Sequence, residues 1–197
     1  MTVQVVLFDV MDTLLADPFR EAIRAATDVP MDEVLRRRAA DLWPAFERGE
    51  LTEDEYWSGW EAVGIAFDPV AFHRVRRDGT RWLPGMAELL DGLAGVVERV
   101  TASNYPVWIE EVAAVHLDGR IDRVLASHHL GVRKPDPAFY RRLLEATGVA
   151  PHQALFVDDR ADNVAAAEAV GIAGHRFEGA GSLRDWLATF EVRVHGR

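Results

Sequence analysis

Short apolar, β-rich runs close on polar residues at Val3–Phe8, Val96–Thr101, Arg123–Ala126, Ala154–Val157 and Ile172–Phe177. Each reads as a buried strand. Between them apolar positions recur at helical spacing over Gly85–Leu93, Val107–Leu117, Pro137–Thr147, Ala161–Val170 and Leu183–Phe190. Strands alternating with helices predict an α/β fold, a doubly wound parallel sheet covered on both faces. Such folds bind ligands outside the carboxyl ends of the strands, where the chain reverses its direction of winding.

Residues 16–83 break the alternation and carry helical patterns alone: Pro18–Thr27, Asp32–Trp43, Thr52–Val63 and Pro69–Arg77. Thr52-Glu53-Asp54-Glu55 has capping-box spacing and marks a helix start. Arg81-Trp82-Leu83-Pro84-Gly85 returns the chain to the alternating pattern. The expected organisation is a core formed by 1–15 and 84–197, with a helical insertion at 16–83 able to act as a lid.

Composition narrows the function. The chain has 197 residues, 49% of them hydrophobic, a formal net charge of −10 and no cysteine. That is ample for one core with an insertion, and it excludes disulfides and thiolate metal sites. The acidic balance, with no long basic run, disfavours nucleic acid as a partner. No apolar run approaches membrane-spanning length and no signal-peptide pattern opens the chain, so a soluble cytoplasmic protein without a membrane partner is expected. Oligomeric state is not legible. Of 22 basic side chains, one alone is lysine, Lys134. Lysine is a compact point charge where arginine is a broad planar fork. A position that refuses the default arginine reads as a crowded pocket needing one small ammonium group.

The strand ends share one chemistry. The first delivers Phe8-Asp9-Val10-Met11-Asp12-Thr13-Leu14, the second Thr101-Ala102-Ser103-Asn104. Lys134 follows the third, and the fourth delivers Asp158-Asp159-Arg160-Ala161-Asp162-Asn163. In a parallel sheet these ends meet on one rim, gathering three carboxylates, a hydroxyl, an amide and an ammonium. Carboxylates so crowded raise one another's pKa unless neutralised. A hard divalent cation with oxygen ligands relieves this, and Mg²⁺ suits one or two carboxylates plus a substrate phosphate. A phosphoryl group would meet Asp9 as nucleophile, Mg²⁺ and Lys134 as charge stabilisers and Ser103 as donor. Thr13 and Asn104 are candidate substrate contacts.

On these motifs the chain resembles the haloacid dehalogenase-like hydrolase superfamily, with a Rossmann-like core and a small helical cap after the first strand. The resemblance implies Asp9 as nucleophile, Ser103, Lys134 and the Asp158-Asp159 pair as the three further motifs, and an aspartyl-phosphate mechanism for its phosphatases. It also implies Mg²⁺ on Asp9, Asp159 and the Met11 backbone carbonyl, with Asp158 and Asn163 supporting. The substrate would be a small phosphorylated metabolite.

One position departs from the family pattern. Its phosphatases carry an aspartate two residues after the nucleophile, which protonates the leaving group; here that position is Met11. A thioether moves no proton, and loss of such a group typically costs roughly 10²–10⁴ in rate. Alternatives therefore stay open: Asp12 as substitute acid, a metal-independent 2-haloacid dehalogenase using Asp9 on carbon, or a degenerate binding module. A phosphonate-cleaving mechanism is excluded, since the insertion contains no lysine for its Schiff base. Arg20, Arg36 to Arg38, Trp57 and Trp60 are candidates for setting specificity from the insertion, and His128-His129 read as solvated loop residues, without a third ligand for a metal.

Overall fold

The computed structural model describes residues 2–195. Four strands, β1 (Val5–Phe8), β2 (Glu98–Thr101), β3 (Ala154–Asp158) and β4 (Ala173–Arg176), form an all-parallel sheet in the order β2-β1-β3-β4. The chain winds outward from β1 to β2, then crosses back to β3 and β4 on the other side. The reversal falls between β1 and β3, so their carboxyl ends open onto the crevice where such sheets hold ligands.

Period-two alternation sorts each strand between two apolar layers. Val6, Phe8, Leu155 and Val157 face one layer with helices α6 (Met86–Leu93) and α11 (Ala180–Thr189). Val5, Leu7, Val100 and Phe156 face the other, with Phe139, Tyr140 and Leu143 of α9 (Pro137–Thr147) and Val164 and Ala167 of α10 (Ala161–Ala169). Full burial of each such side chain contributes about 1.5–3 kcal/mol, and β1 buries all four of its residues.

The expected strand Arg123–Ala126 forms only isolated bridges, Arg123 to Val100 and Ala126 to Ser103. The Thr101 hydroxyl interrupts the ladder: it accepts from the Leu125 N–H at 2.8 Å and donates to the Leu125 carbonyl at 2.9 Å. The expected helix at 107–117 divides into α7 (Ile109–Val112) and a π turn, Ala113–Leu117. His128-His129, expected in an open loop, instead belong to the short α8 (Ser127–Leu130), where His129 accepts from the Ala126 N–H and meets Glu110.

Between β1 and α6 lie α1 (Phe19–Ala26), α2 (Met31–Arg37), α3 (Leu42–Glu47), α4 (Glu53–Glu61) and α5 (Pro69–Gly79). The expected helix Asp32–Trp43 is two helices. Pro44 lacks an N–H and its ring would clash inside a continuous helix; the break at Arg38 places it in the first turn of α3 instead. The Thr52 capping box forms, Thr52 Oγ1 accepting from the Glu55 N–H while the Glu55 carboxylate accepts from the Thr52 N–H. The chain's two crossings pair with each other: the Ala16 N–H donates to Arg81 and the Leu83 N–H to Leu14, both at 2.9 Å. Trp43, Phe46, Trp57 and Phe72 gather around Trp108, so these helices rest on the sheet layer through one continuous apolar cluster. No described helix is long and apolar enough to cross a membrane.

Candidate active site

Asp9 follows β1 directly, its N–H donating to the Val157 carbonyl of β3 at 2.8 Å, which continues the sheet pairing to the reactive position. Asp158 is the last residue of β3. Lys134 enters between them from the segment before α9. Its ammonium donates to Asp9 Oδ1 at 2.7 Å and to Asp158 Oδ2 at 2.6 Å, with its side chain 1% exposed. Burial disfavours the lysine's charge, but the two carboxylates outweigh it and the net effect raises its pKa. An arginine fork would not fit between two acceptors in so closed a space.

Asp158 is saturated. Besides Lys134 it accepts from Asn163 Nδ2 at 2.9 and 3.0 Å and from the Arg160 N–H at 2.9 Å. Asn163 is itself held by Tyr140, whose hydroxyl donates to its carbonyl. Asp9 is 7% exposed, and burial pushes its carboxyl up to about 7 against the pull of Lys134, with Asp158 adding to the rise. Asp159 is raised too, by burial and then by Asp158. One oxygen from each of Asp9, Asp158 and Asp159 lies within 4.8 Å of the others. This set fits a hard cation: crowded oxygen donors, two of them held above their ordinary range, with free acceptor capacity left on Asp9 and Asp159. Met11, whose carbonyl is the third expected ligand, lines the cavity beside this set. The pairing of Met11 with Leu15 uses the Val10 and Leu15 carbonyls and leaves Met11's out.

A cavity of about 420 Å³ opens above these groups. Asp9, Met11, Ser103, Lys134, Asp159 and Asn163 all line it. Asn104 lines it as well, yet both ends of its amide are engaged. Nδ2 donates to the Lys134 carbonyl at 2.9 Å and Oδ1 accepts the Lys134 N–H at 2.7 Å. Thr13 is fully buried and donates to Asp9 Oδ2 at 3.4 Å. Both residues, expected to touch substrate, are thus also bonded to the reactive segments, Thr13 to Asp9 and Asn104 to the Lys134 backbone. Asn104→Ala is expected to cost roughly 1–3 kcal/mol for the pair of lost bonds, read by urea unfolding, and to lower kcat more than it raises KM.

Asp12 has φ 58°, a left-handed backbone that glycine adopts most readily and aspartate tolerates. Its carboxylate accepts from the Asp17 N–H at the cavity mouth. Among the insertion residues proposed to set specificity, Arg38 lines the cavity. Arg36 and Arg37 pair with Glu33 on the surface, Trp60 is buried, and Trp57 lines a separate cleft. Sequence reasoning missed Trp43, Glu47, Tyr105 and Arg133, which also line the site. Tyr105 and Arg133 adjoin Asn104 and Lys134 in the chain, whereas Trp43 and Glu47 reach the site through contacts between distant segments, such as the 2.7 Å bond from Arg133 Nε to Glu47 Oε2.

A family model described as haloacid dehalogenase-like hydrolase matches residues 3–171. The chain belongs to that family. This haloacid dehalogenase-like hydrolase is 35% identical, over 96% of its length and 78% of the relative, to a chloroplastic flavin mononucleotide hydrolase from Arabidopsis thaliana. It is 31% identical to a sesquiterpene phosphatase from Aspergillus oryzae, over 76% of each chain. A haloacid dehalogenase family enzyme from Bacteroides thetaiotaomicron, solved with magnesium and inorganic phosphate, superposes with a TM-score of 0.78 at 17% identity, covering 92% of this chain and 98% of that one. The fold is therefore that of the family, and phosphatases are among the hydrolase's relatives.

Proposed function

We propose that this hydrolase is a Mg²⁺-dependent phosphatase of small phosphorylated metabolites, working through an aspartyl-phosphate at Asp9. The observation that carries the reading is the ammonium of Lys134 fixed between Asp9 and Asp158, with Asp159 beside them at the mouth of the crevice. In this reading Asp9, Asp159 and the Met11 carbonyl would hold Mg²⁺, which supplies charge stabilisation to the transferring phosphoryl group. Asp9 attacks phosphorus; Lys134 keeps the nucleophile ionised and oriented; Ser103 donates to a phosphoryl oxygen. Asp158, saturated by its own partners, positions the lysine. Residues 16–83 form the cap, closing over the substrate with Phe19, Arg38 and Trp43 on the cavity wall.

A carbon-directed dehalogenase is the weaker reading, because three clustered carboxylates would face a carboxylate substrate across the same cavity. Flavin mononucleotide, the named substrate of the plant relative, is the first compound to try, beside p-nitrophenyl phosphate. Turnover of either is expected with Mg²⁺ and is expected to disappear with chelator, returning when the metal is restored. Turnover of 2-haloacids with chelator present, and of neither phosphate with Mg²⁺, would reverse the order of the two readings.

A further inference from the structure

Met11 leaves the floor of the site without a proton donor, and a poor leaving group needs one. Outside the metal-binding cluster, three carboxyl groups line the cavity: Asp12, Asp17 and Glu47. Asp12 and Asp17 are exposed residues, although burial of its carboxyl pushes Asp17 up to about 6. Each is fastened to a backbone N–H, of Asp17 and Phe19 respectively. Glu47 differs. It ends α3, is 3% exposed, and is held over the cavity from two sides. Its backbone carbonyl accepts from Ser127 Oγ at 2.6 Å, and Ser127 Oγ also accepts the Tyr105 N–H. Its carboxyl takes a hydrogen bond from Arg133 Nε at 2.7 Å. Arg133 immediately precedes Lys134, and the Lys134 charge also pulls on the Glu47 carboxyl.

We propose that Glu47, delivered by the inserted helices, is the proton donor to the leaving group and the base for the following water, in place of the absent aspartate at position 11. The inference rests on the phosphatase reading above. In the first half, an Asp9 oxygen bonds to phosphorus, the bond from phosphorus to the leaving oxygen breaks, and the Glu47 proton passes to that oxygen to release an alcohol. In the second, water attacks the aspartyl-phosphate, its proton returns to Glu47, and the Asp9–phosphorus bond breaks to release phosphate. Burial supports the role, pushing the Glu47 carboxyl up to about 7 against the pull of Arg133, where a group can both give and take a proton near neutrality. Arg133 stabilises the carboxylate between the two halves.

The test compares leaving groups. Flavin mononucleotide releases an alkoxide that needs a proton; p-nitrophenyl phosphate releases a stable phenolate that needs little. Glu47→Gln keeps an acceptor for Arg133 and so keeps the packing, checked by an unchanged thermal midpoint. Its kcat/KM, which reports steps through departure of the leaving group, is expected to fall on the order of 10²-fold further for flavin mononucleotide than for p-nitrophenyl phosphate. Adding Met11→Asp to that variant is expected to recover the flavin mononucleotide rate. Equal losses on the two substrates, no loss on flavin mononucleotide, no recovery in the double variant, or the selective loss appearing in Asp17→Asn instead, would each overturn Glu47 as donor and leave the phosphatase reading standing. Inactivity of the unaltered protein on both phosphates would bring down the phosphatase reading and this inference with it.

Discussion

Asp9→Asn is expected to abolish phosphate release while leaving the protein folded. The substitution preserves shape and keeps a side-chain oxygen for Lys134 Nζ, which in the unaltered site lies 2.7 Å from Asp9 Oδ1. It takes away the negative oxygen that in the proposed mechanism attacks phosphorus, and an amide is no substitute nucleophile. Losing a nucleophile typically costs on the order of 10⁶ in kcat, so the variant should fall to background. Stability should hold or rise, because one of three crowded carboxylates is gone and Asp9 is held ionised only against its burial. Circular dichroism and thermal unfolding beside the assay separate chemistry from collapse. A variant retaining a tenth of the wild-type rate would show that Asp9 does not form the covalent bond.

Lys134 should combine the largest stability effect with a large catalytic one. Lys134→Met leaves Asp9 and Asp158 facing each other in a space where Asp158 is 0% exposed. Removing one partner of a buried ion pair costs about 3–5 kcal/mol, since the remaining charge has no compensation. Urea unfolding should show a lowered midpoint at unchanged slope. Lys134→Arg is the more telling variant: it keeps the charge and loses the shape. The guanidinium cannot sit between acceptors 2.6 and 2.7 Å from one nitrogen without displacing Asn163 or β1. Activity is expected to fall by on the order of 10² or more, the scale of losing one preorganised electrostatic donor. Wild-type activity in Lys134→Arg would mean that a generic positive charge suffices, and that the chain's single lysine has no special reason to stand there.

Much of this arrangement was legible before any coordinates. The strands β1 and β3 are apolar runs that stop on aspartate, and a parallel sheet brings such stops to one rim. The refusal of arginine at 134 marked a tight pocket, and the structure has one. What the sequence hid depends on contacts across long separations. Nothing local at Thr101 says that its hydroxyl will occupy Leu125's backbone groups and leave 123–126 as bridges. The pattern ended one helix at Trp43, whereas the structure breaks it at Arg38 and starts another that carries Pro44 in its first turn. Asn104, expected to touch substrate, also has a partner that no local pattern shows, a backbone 30 residues away. Glu47 is one of many acidic residues on amphipathic helices. Only the seating of α3 on Ser127 and Arg133 distinguishes it.

The central claim is that catalysis passes through a phosphorylated Asp9. It is tested most directly by mixing the protein with Mg²⁺ and p-nitrophenyl phosphate, quenching in acid during turnover, and reducing with borohydride, which converts an aspartyl-phosphate to homoserine. Peptide mass spectrometry should then find homoserine at position 9, and not in samples lacking Mg²⁺ or substrate. Steady release of p-nitrophenol with position 9 recovered only as aspartate, and with homoserine at another aspartate, would contradict the account.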